Sequence, residues 1–208
     1  MTLDEALEVS PIVAILRGVT AAEVVDVAGA LFEAGVRAVE APLNSPDPLD
    51  AIGRLAEAFA GRMTVGAGTV LTVAEVAAVA RVGGALCVAP NTDAAVIARA
   101  VELGMTPAPG FATASEAFSA IAAGARHLKL FPAATYGPAH LKALTAVLPN
   151  AVKVLAVGGV GPADMAAWRA AGAAGFGLGS ELYRPGQSAA ETYQKARRAV
   201  EAARAAWA

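Results

Sequence analysis

Ala125-Arg126-His127-Leu128-Lys129-Leu130-Phe131-Pro132 is the stretch from which the fold can be read. It has the form of a short buried strand with one cation near its C-terminal end. Only four lysines occur: Lys129, Lys142, Lys153 and Lys195. Lys142 and Lys195 fall in helical patterns, and Lys153 opens another strand. Lys129 alone sits where a strand is about to leave an apolar interior. Burial lowers the pKa of an amine, and a neutral amine is a nucleophile for carbonyl carbon. A lysine in this place can also snorkel from a strand end to water. Both readings stand at this point.

Working outward, the same unit recurs on either side. Apolar runs at residues 11–16, 38–41, 63–67, 85–89, 105–107, 152–157 and 175–178 read as further strands, continuous enough to be buried on both faces. Between them lie helical segments with start signals. Thr20/Glu23, Thr72/Glu75, Thr113/Glu116 and Ser188/Glu191 have capping-box spacing. Ser45-Pro46 reads as an N-cap followed by proline at the first helical position. Gly137-Pro138 marks the start of the helix after the Lys129 strand. Gly35, Gly61, Gly83, Gly104, Gly124 and Gly172 mark helix stops. Residues 1–9 form a short helix that caps one end of the fold.

Eight strand–helix units of this kind predict a parallel sheet closed into a single (β/α)8 TIM barrel. The chain is somewhat shorter than the usual ~250 residues of that fold. An open flavodoxin-like sheet would need fewer units. No linker or low-complexity tract interrupts the pattern, so residues 1–208 are read as one barrel domain.

Composition narrows the function. The chain is 56% hydrophobic with a net charge of −2, which gives no reason to invoke nucleic acid or an anionic membrane. No apolar run is long enough for a transmembrane helix. The acidic N-terminus lacks the features of a secretory signal. One cysteine, Cys87, rules out an intrachain disulfide framework and reads as a buried, inert thiol. These features fit a soluble cytoplasmic protein. Two histidines and one cysteine offer no zinc-ligand cluster.

In a barrel, strand C-termini converge on the face that carries the active site. Arg17, Glu40, Thr69, Pro90 and Lys129 all occupy such positions. Glu40, between Val39 and Ala41, is either a general acid/base near an amine or the partner of a structural ion pair with Arg17 or Lys129. Arg17 can hold a substrate carboxylate in a bidentate fork, or serve Glu40. Gly158-Gly159 and Gly179-Ser180 fall in the loops after the last two strands, a recurrent phosphate site in barrels. His127 shares the parity of Lys129 and should face the interior one layer deeper, as a core histidine. His140 is expected on an exposed helix face, and Trp168 and Trp207 are expected to be packing residues.

These residues carry a resemblance. Pro11-Ile12-Val13-Ala14-Ile15-Leu16-Arg17-Gly18, Val65-Gly66-Ala67-Gly68-Thr69-Val70, Leu128-Lys129-Leu130-Phe131-Pro132, Val157-Gly158-Gly159-Val160 and Gly179-Ser180 are similar to motifs of the class I 2-keto-3-deoxy-6-phosphosugar acid aldolases. The resemblance runs from Pro11 to the C-terminal helix. It implies Lys129 as the Schiff-base lysine and Glu40 as the general acid/base. It implies a substrate site of Arg17, Thr69, Pro90, Phe131 and Val157, with phosphate at Gly158, Gly159, Gly179 and Ser180. The implied substrate is a phosphorylated 2-keto-3-deoxy sugar acid, with pyruvate as a product and no metal or organic cofactor. The implied assembly is a homotrimer.

Within that family, gluconate enzymes typically read Glu-x-Thr-Leu-Arg-Thr after strand two and Thr-Gly-Gly after strand seven. Here the segments are Glu40-Ala41-Pro42-Leu43-Asn44-Ser45 and Val157-Gly158-Gly159. Asn44 replaces the arginine, and Arg17 is available for the carboxylate instead. This combination resembles the galactonate branch, whose substrate differs at C4. Val157 is then the expected discriminator, and His127 departs from the small residue expected at its position.

Overall fold

A computed structural model describes residues 1–208. The strands are β1 (Ile12–Ile15), β2 (Ala38–Pro42), β3 (Thr64–Gly68), β4 (Leu86–Val88), β5 (Thr106–Ala108), β6 (Gly110–Phe111), β7 (His127–Leu130), β8 (Lys153–Val157) and β9 (Gly175–Leu178). All pair in parallel in the order β5-β4-β3-β2-β1-β9-β8-β7-β6. The two ends of that order, β5 and β6, are separated by Pro109 alone. They are the two halves of one stave, which closes the ring. Its first half pairs with β4. Its second half pairs with β7, and the Lys129 N–H donates to the Pro109 carbonyl at 2.8 Å. The fold is therefore the expected TIM barrel, with the fifth stave broken where proline supplies no N–H.

Most helix starts follow the expected chemistry. Complete capping boxes form at Thr72/Glu75 before α4 (Val73–Arg81) and at Thr113/Glu116 before α6 (Ala114–Ala122). Ser188 caps α9 (Ala189–Trp207) by accepting from the Glu191 N–H. Half of the Thr20/Glu23 box is made: the Glu23 carboxylate accepts from the Thr20 N–H at 2.9 Å, and α2 (Val24–Glu33) starts one residue later.

Besides α2, which begins at Val24 and not at Ala21 as a Thr20 cap would require, two more starts differ from the sequence reading. The helix after β2, α3 (Pro48–Ala58), begins at Asp47-Pro48 and not at Ser45-Pro46. Ser45 is used elsewhere, because its hydroxyl accepts from the Gly18 N–H at 2.9 Å across the barrel rim. After β7, helix α7 (Ala133–Thr145) begins directly behind Pro132 and breaks at Gly137 (φ 78, ψ 166). Gly137-Pro138 thus restarts a helix already under way.

The barrel separates two apolar cores. The larger, of 52 residues, lies between the staves and the outer helices. The smaller, of 11 residues, fills the interior and includes Val13, Ile15, Leu86, Val88, Leu155 and Val157. Leu3, Ala6 and Leu7 belong to this inner cluster, so α1 (Leu3–Val9) plugs the N-terminal end of the ring. His127 explains how the plug is fastened. It is buried, and its Nε2 lies 2.9 Å from Asp4 Oδ1, which also accepts from Lys153 Nζ at 2.7 Å. Burial lowers the histidine pKa while Asp4 opposes the fall. His127 thus ties the capping helix to β7 from inside the barrel, as a satisfied core histidine.

Other packing expectations divide. Trp168 is buried, and Cys87 is buried with its thiol pushed up to about 12 by desolvation. Trp207 meets Phe176 edge-on and carries Arg169 over its face. His140 is not on a free face. It is half-buried, donates to the Ala112 carbonyl at 2.6 Å and stacks on Tyr136. No helix is long and apolar enough to cross a membrane.

Leu3 is fully buried in the plug. Leu3→Ala should lower unfolding stability in urea by about 2–5 kcal/mol. A loss below about 0.5 kcal/mol, the range of surface substitutions, would show that α1 is not packed into the ring.

Candidate active site

Strand register places the charged groups. Glu40, in the middle of β2, pairs with Ile15 at the end of β1 on one side and with Gly66 on the other. Lys129 pairs with Gly110 and Leu155, near the end of β7. Both side chains point inward and line one small cavity together with Val13, Leu86, Val88 and Leu155. Hydrocarbon therefore surrounds an acid and an amine contributed by distant parts of the chain.

Desolvation dominates both groups. Glu40 is 2% exposed, and its Oε2 has no hydrogen-bond partner. Burial raises its pKa to about 7, against the opposing positive charges of Lys129 and Arg17. Lys129 is 6% exposed. Burial pushes its amine below the ordinary lysine value, Glu40 opposes that fall and Arg17 adds to it. Nζ lies 4.5 Å from the centre of the Phe131 ring. Glu40 takes part in no ion pair within 4 Å, so the structural-pair reading of this carboxylate falls away. A carboxyl near neutrality beside an amine with a lowered pKa is suited to imine formation and proton transfer.

Gly68 makes room for the acid. A Cβ on Gly68 would lie 1.9 Å from Glu40 Oε2 and 2.3 Å from the carboxyl carbon. Any larger residue there would drive the carboxylate out of its position. The next residue, Thr69, has φ 58, left-handed geometry that is uncommon outside glycine.

Above the acid and amine, the cavity opens into a pocket of about 460 Å³. Lys129 belongs to both spaces. Of the residues expected from sequence, the pocket gathers Arg17, Phe131, Val157, Gly158, Gly159, Gly179 and Ser180. Gly158 (φ 94) and Gly159 (φ 73) turn the backbone there, and a Cβ on Gly159 would lie 2.6 Å from that of Ala134. The N–H groups of Gly158, Gly159 and Ser180 make no hydrogen bond within the chain. They offer donors to an anion, beside a helical turn in which the Leu182 and Tyr183 N–H groups close onto the Gly179 carbonyl.

Arg17 is exposed and donates to Asn44 Oδ1 at 2.7 Å. The asparagine that replaces the expected arginine thus orients another arginine at the same rim. Thr69 and Pro90 lie just beyond β3 and β4, but neither lines the two cavities. The Pro90 carbonyl instead packs closely on Gly110, where a Cβ would come within 2.2 Å of it.

Sequence reasoning missed other lining residues. Leu86, Val88 and Leu155 form the apolar floor, and Arg184 and Glu181 stand at the outer wall. The floor residues were hidden as ordinary core positions. Arg184 had a readable signal, as a cation in the loop after the final strand, on the barrel's active face. Nowhere do three His, Cys, Asp or Glu side chains gather in a metal-ligating group.

The KDPG and KHG aldolase family model matches residues 3–199. The chain is 51% identical to the 2-dehydro-3-deoxy-6-phosphogalactonate aldolase of Escherichia coli K12, covering 94% of this chain and 96% of that protein. It is 34% identical to the 2-dehydro-3-deoxy-phosphogluconate aldolase of Pseudomonas aeruginosa, over 76% of this chain and 70% of that one. The solved structure described as native KDPGal superposes with a TM-score of 0.93 at 51% identity, covering 95% of this chain and 96% of that one. With nearly its whole length matched, and with an amine and a carboxyl brought together inside its barrel, the chain belongs to the KDPG and KHG aldolase family.

Proposed function

We propose that this chain is a class I aldolase that cleaves 2-dehydro-3-deoxy-6-phosphogalactonate into pyruvate and D-glyceraldehyde 3-phosphate. The observation that carries the reading is Lys129 and Glu40 together in a water-poor barrel mouth. Neutral Lys129 Nζ attacks the C2 ketone, and loss of water with uptake of one proton from solvent, released again at the final hydrolysis, leaves an iminium. The Glu40 carboxylate takes the C4 hydroxyl proton through a water. The C3–C4 electron pair flows into the iminium, which releases the aldehyde and leaves an enamine. Protonated Glu40 returns its proton to C3, and water hydrolyses the new iminium to free pyruvate and the amine.

The remaining residues supply orientation. Arg17, held by Asn44, binds the C1 carboxylate, while Gly158, Gly159, Gly179 and Ser180 bind phosphate. Thr69 and Pro90 stand at the strand ends beside the pocket and line neither cavity, so they carry no role in the proposed reaction. The galactonate epimer is favoured by Val157, which lines the pocket, and by the greater identity to the galactonate relative than to the gluconate relative. Action as a homotrimer in the cytoplasm is part of the same proposal. Sedimentation of the purified protein would measure the assembly.

Borohydride with pyruvate should attach a reduced adduct to the Lys129 peptide. Lys129→Ala should lose the adduct and more than about four orders of magnitude in turnover, beyond what loss of one proton-transfer group typically costs. A phosphosugar isomerase or a non-catalytic binding protein on the same barrel would leave that peptide unmodified.

A base must be ionised to act, so kcat/KM should rise with pH through about 7, where Glu40 titrates. Glu40→Gln should lower kcat by about 10²–10⁴-fold and flatten that limb. An unaltered limb in the variant would assign the ionisation to another group.

Turnover should be faster on the galactonate than on the gluconate epimer. Val157→Thr should move the ratio toward gluconate by about 2–10-fold, the worth of one hydrogen bond. Equal wild-type rates on the two epimers would undo the assignment.

A further inference from the structure

The backbone on both sides of Arg184 is pinned, although its side chain is exposed. Tyr183, 2% exposed, donates its N–H to the Gly179 carbonyl at 3.0 Å and its hydroxyl to Glu23 Oε1 at 2.9 Å. On the other side, Pro185 packs so closely on Gly18 that a Cβ there would lie 2.7 Å from Pro185 Cγ. The Arg184 carbonyl accepts from the Gln187 N–H at 2.9 Å. Gln187 is in turn anchored to the Leu182 carbonyl at 2.6 Å and to Thr192 Oγ1 at 2.8 Å. The loop is thus a strap drawn across the barrel rim with a fixed path.

What this strap holds out is a cation. Arg184 lines the same pocket as Gly158, Gly159 and Ser180, and it is in no ion pair. The backbone donors of that wall carry partial charge only, while a phosphate ester is close to a dianion at neutral pH. Glu181 on the same wall is repulsive to such a group. The other pocket cations are committed elsewhere, Lys129 to the ketone and Arg17, beside Asn44, to the carboxylate end. A planar guanidinium on a braced backbone matches phosphate oxygens with little ordering cost.

We propose that Arg184 is a specificity-determining residue that binds the phosphate of the substrate and makes the enzyme select phosphorylated over unphosphorylated sugar acids. The proposal rests on the aldolase reading for its substrate, but not for the phosphate contact itself.

The test compares wild type, Arg184→Ala and Arg184→Lys, with thermal unfolding to establish that each is folded. Arg184→Ala should raise KM for the phosphorylated acid by about tenfold, the worth of one hydrogen bond to a charged group. Its kcat, its pyruvate adduct at Lys129 and its kcat/KM on unphosphorylated 2-dehydro-3-deoxygalactonate should stay at wild-type values. Arg184→Lys should recover part of the loss. In parallel, calorimetry with glycerol 3-phosphate, which cannot form an imine, should show weaker binding to Arg184→Ala than to wild type. Unchanged glycerol 3-phosphate affinity, or an equal loss on both sugar acids, would overturn the role of Arg184. Absence of wild-type turnover would overturn the aldolase reading alone, because the calorimetric comparison would still decide the phosphate contact.

Discussion

Everything in this molecule is arranged to keep one carboxyl group dry. Glu40 is buried with an oxygen that finds no donor, and desolvation carries its pKa to about 7. An isolated ionised carboxylate would be costly in such a place. The nearby charges of Lys129 and Arg17 offset part of that cost without pairing with it directly. The same burial lowers the pKa of Lys129. The barrel thus tunes an acid and an amine toward each other with a single agent, exclusion of water. The apolar floor, the helical plug beneath it and the clearance at Gly68 all serve that exclusion.

The architecture then separates the labour by depth. The lowest layer, where Asp4, His127 and Lys153 meet, fastens the plug. The middle layer holds the acid and the amine. The rim holds groups suited to anions, with Arg17 on Asn44 at one side and the two glycine turns at another. A parallel barrel permits this because each stave contributes at every depth, while only its C-terminal loop reaches the rim. Chemistry and recognition can therefore be altered at different positions of the same strand.

Much of this was legible in the residues. Continuous apolar runs and glycine stops gave the staves, and strand-end position alone brought Glu40 and Lys129 to one mouth. What could not be read were choices that depend on a partner across the fold. Ser45 looked like a helix cap, but the rim claims its hydroxyl for the Gly18 N–H. His127 had no evident purpose until Asp4 of the first helix lay against it. Arg184 was one arginine among many until Tyr183 and Pro185 were seen to pin its neighbours. Thr69 and Pro90 had the right strand-end position, yet neither reaches the lining of the cavities. Local pattern encodes where a residue sits along a stave, whereas its use depends on what another stave places opposite.

The divided fifth stave bears on how the ring is closed. Pro107 and Pro109 supply no backbone hydrogens to the ladder, so fewer bonds stitch the circumference there than between strands without proline. One lip of this line is the strand that bears Lys129. The wall beside the reactive amine is therefore the part of the circumference poorest in potential backbone donors.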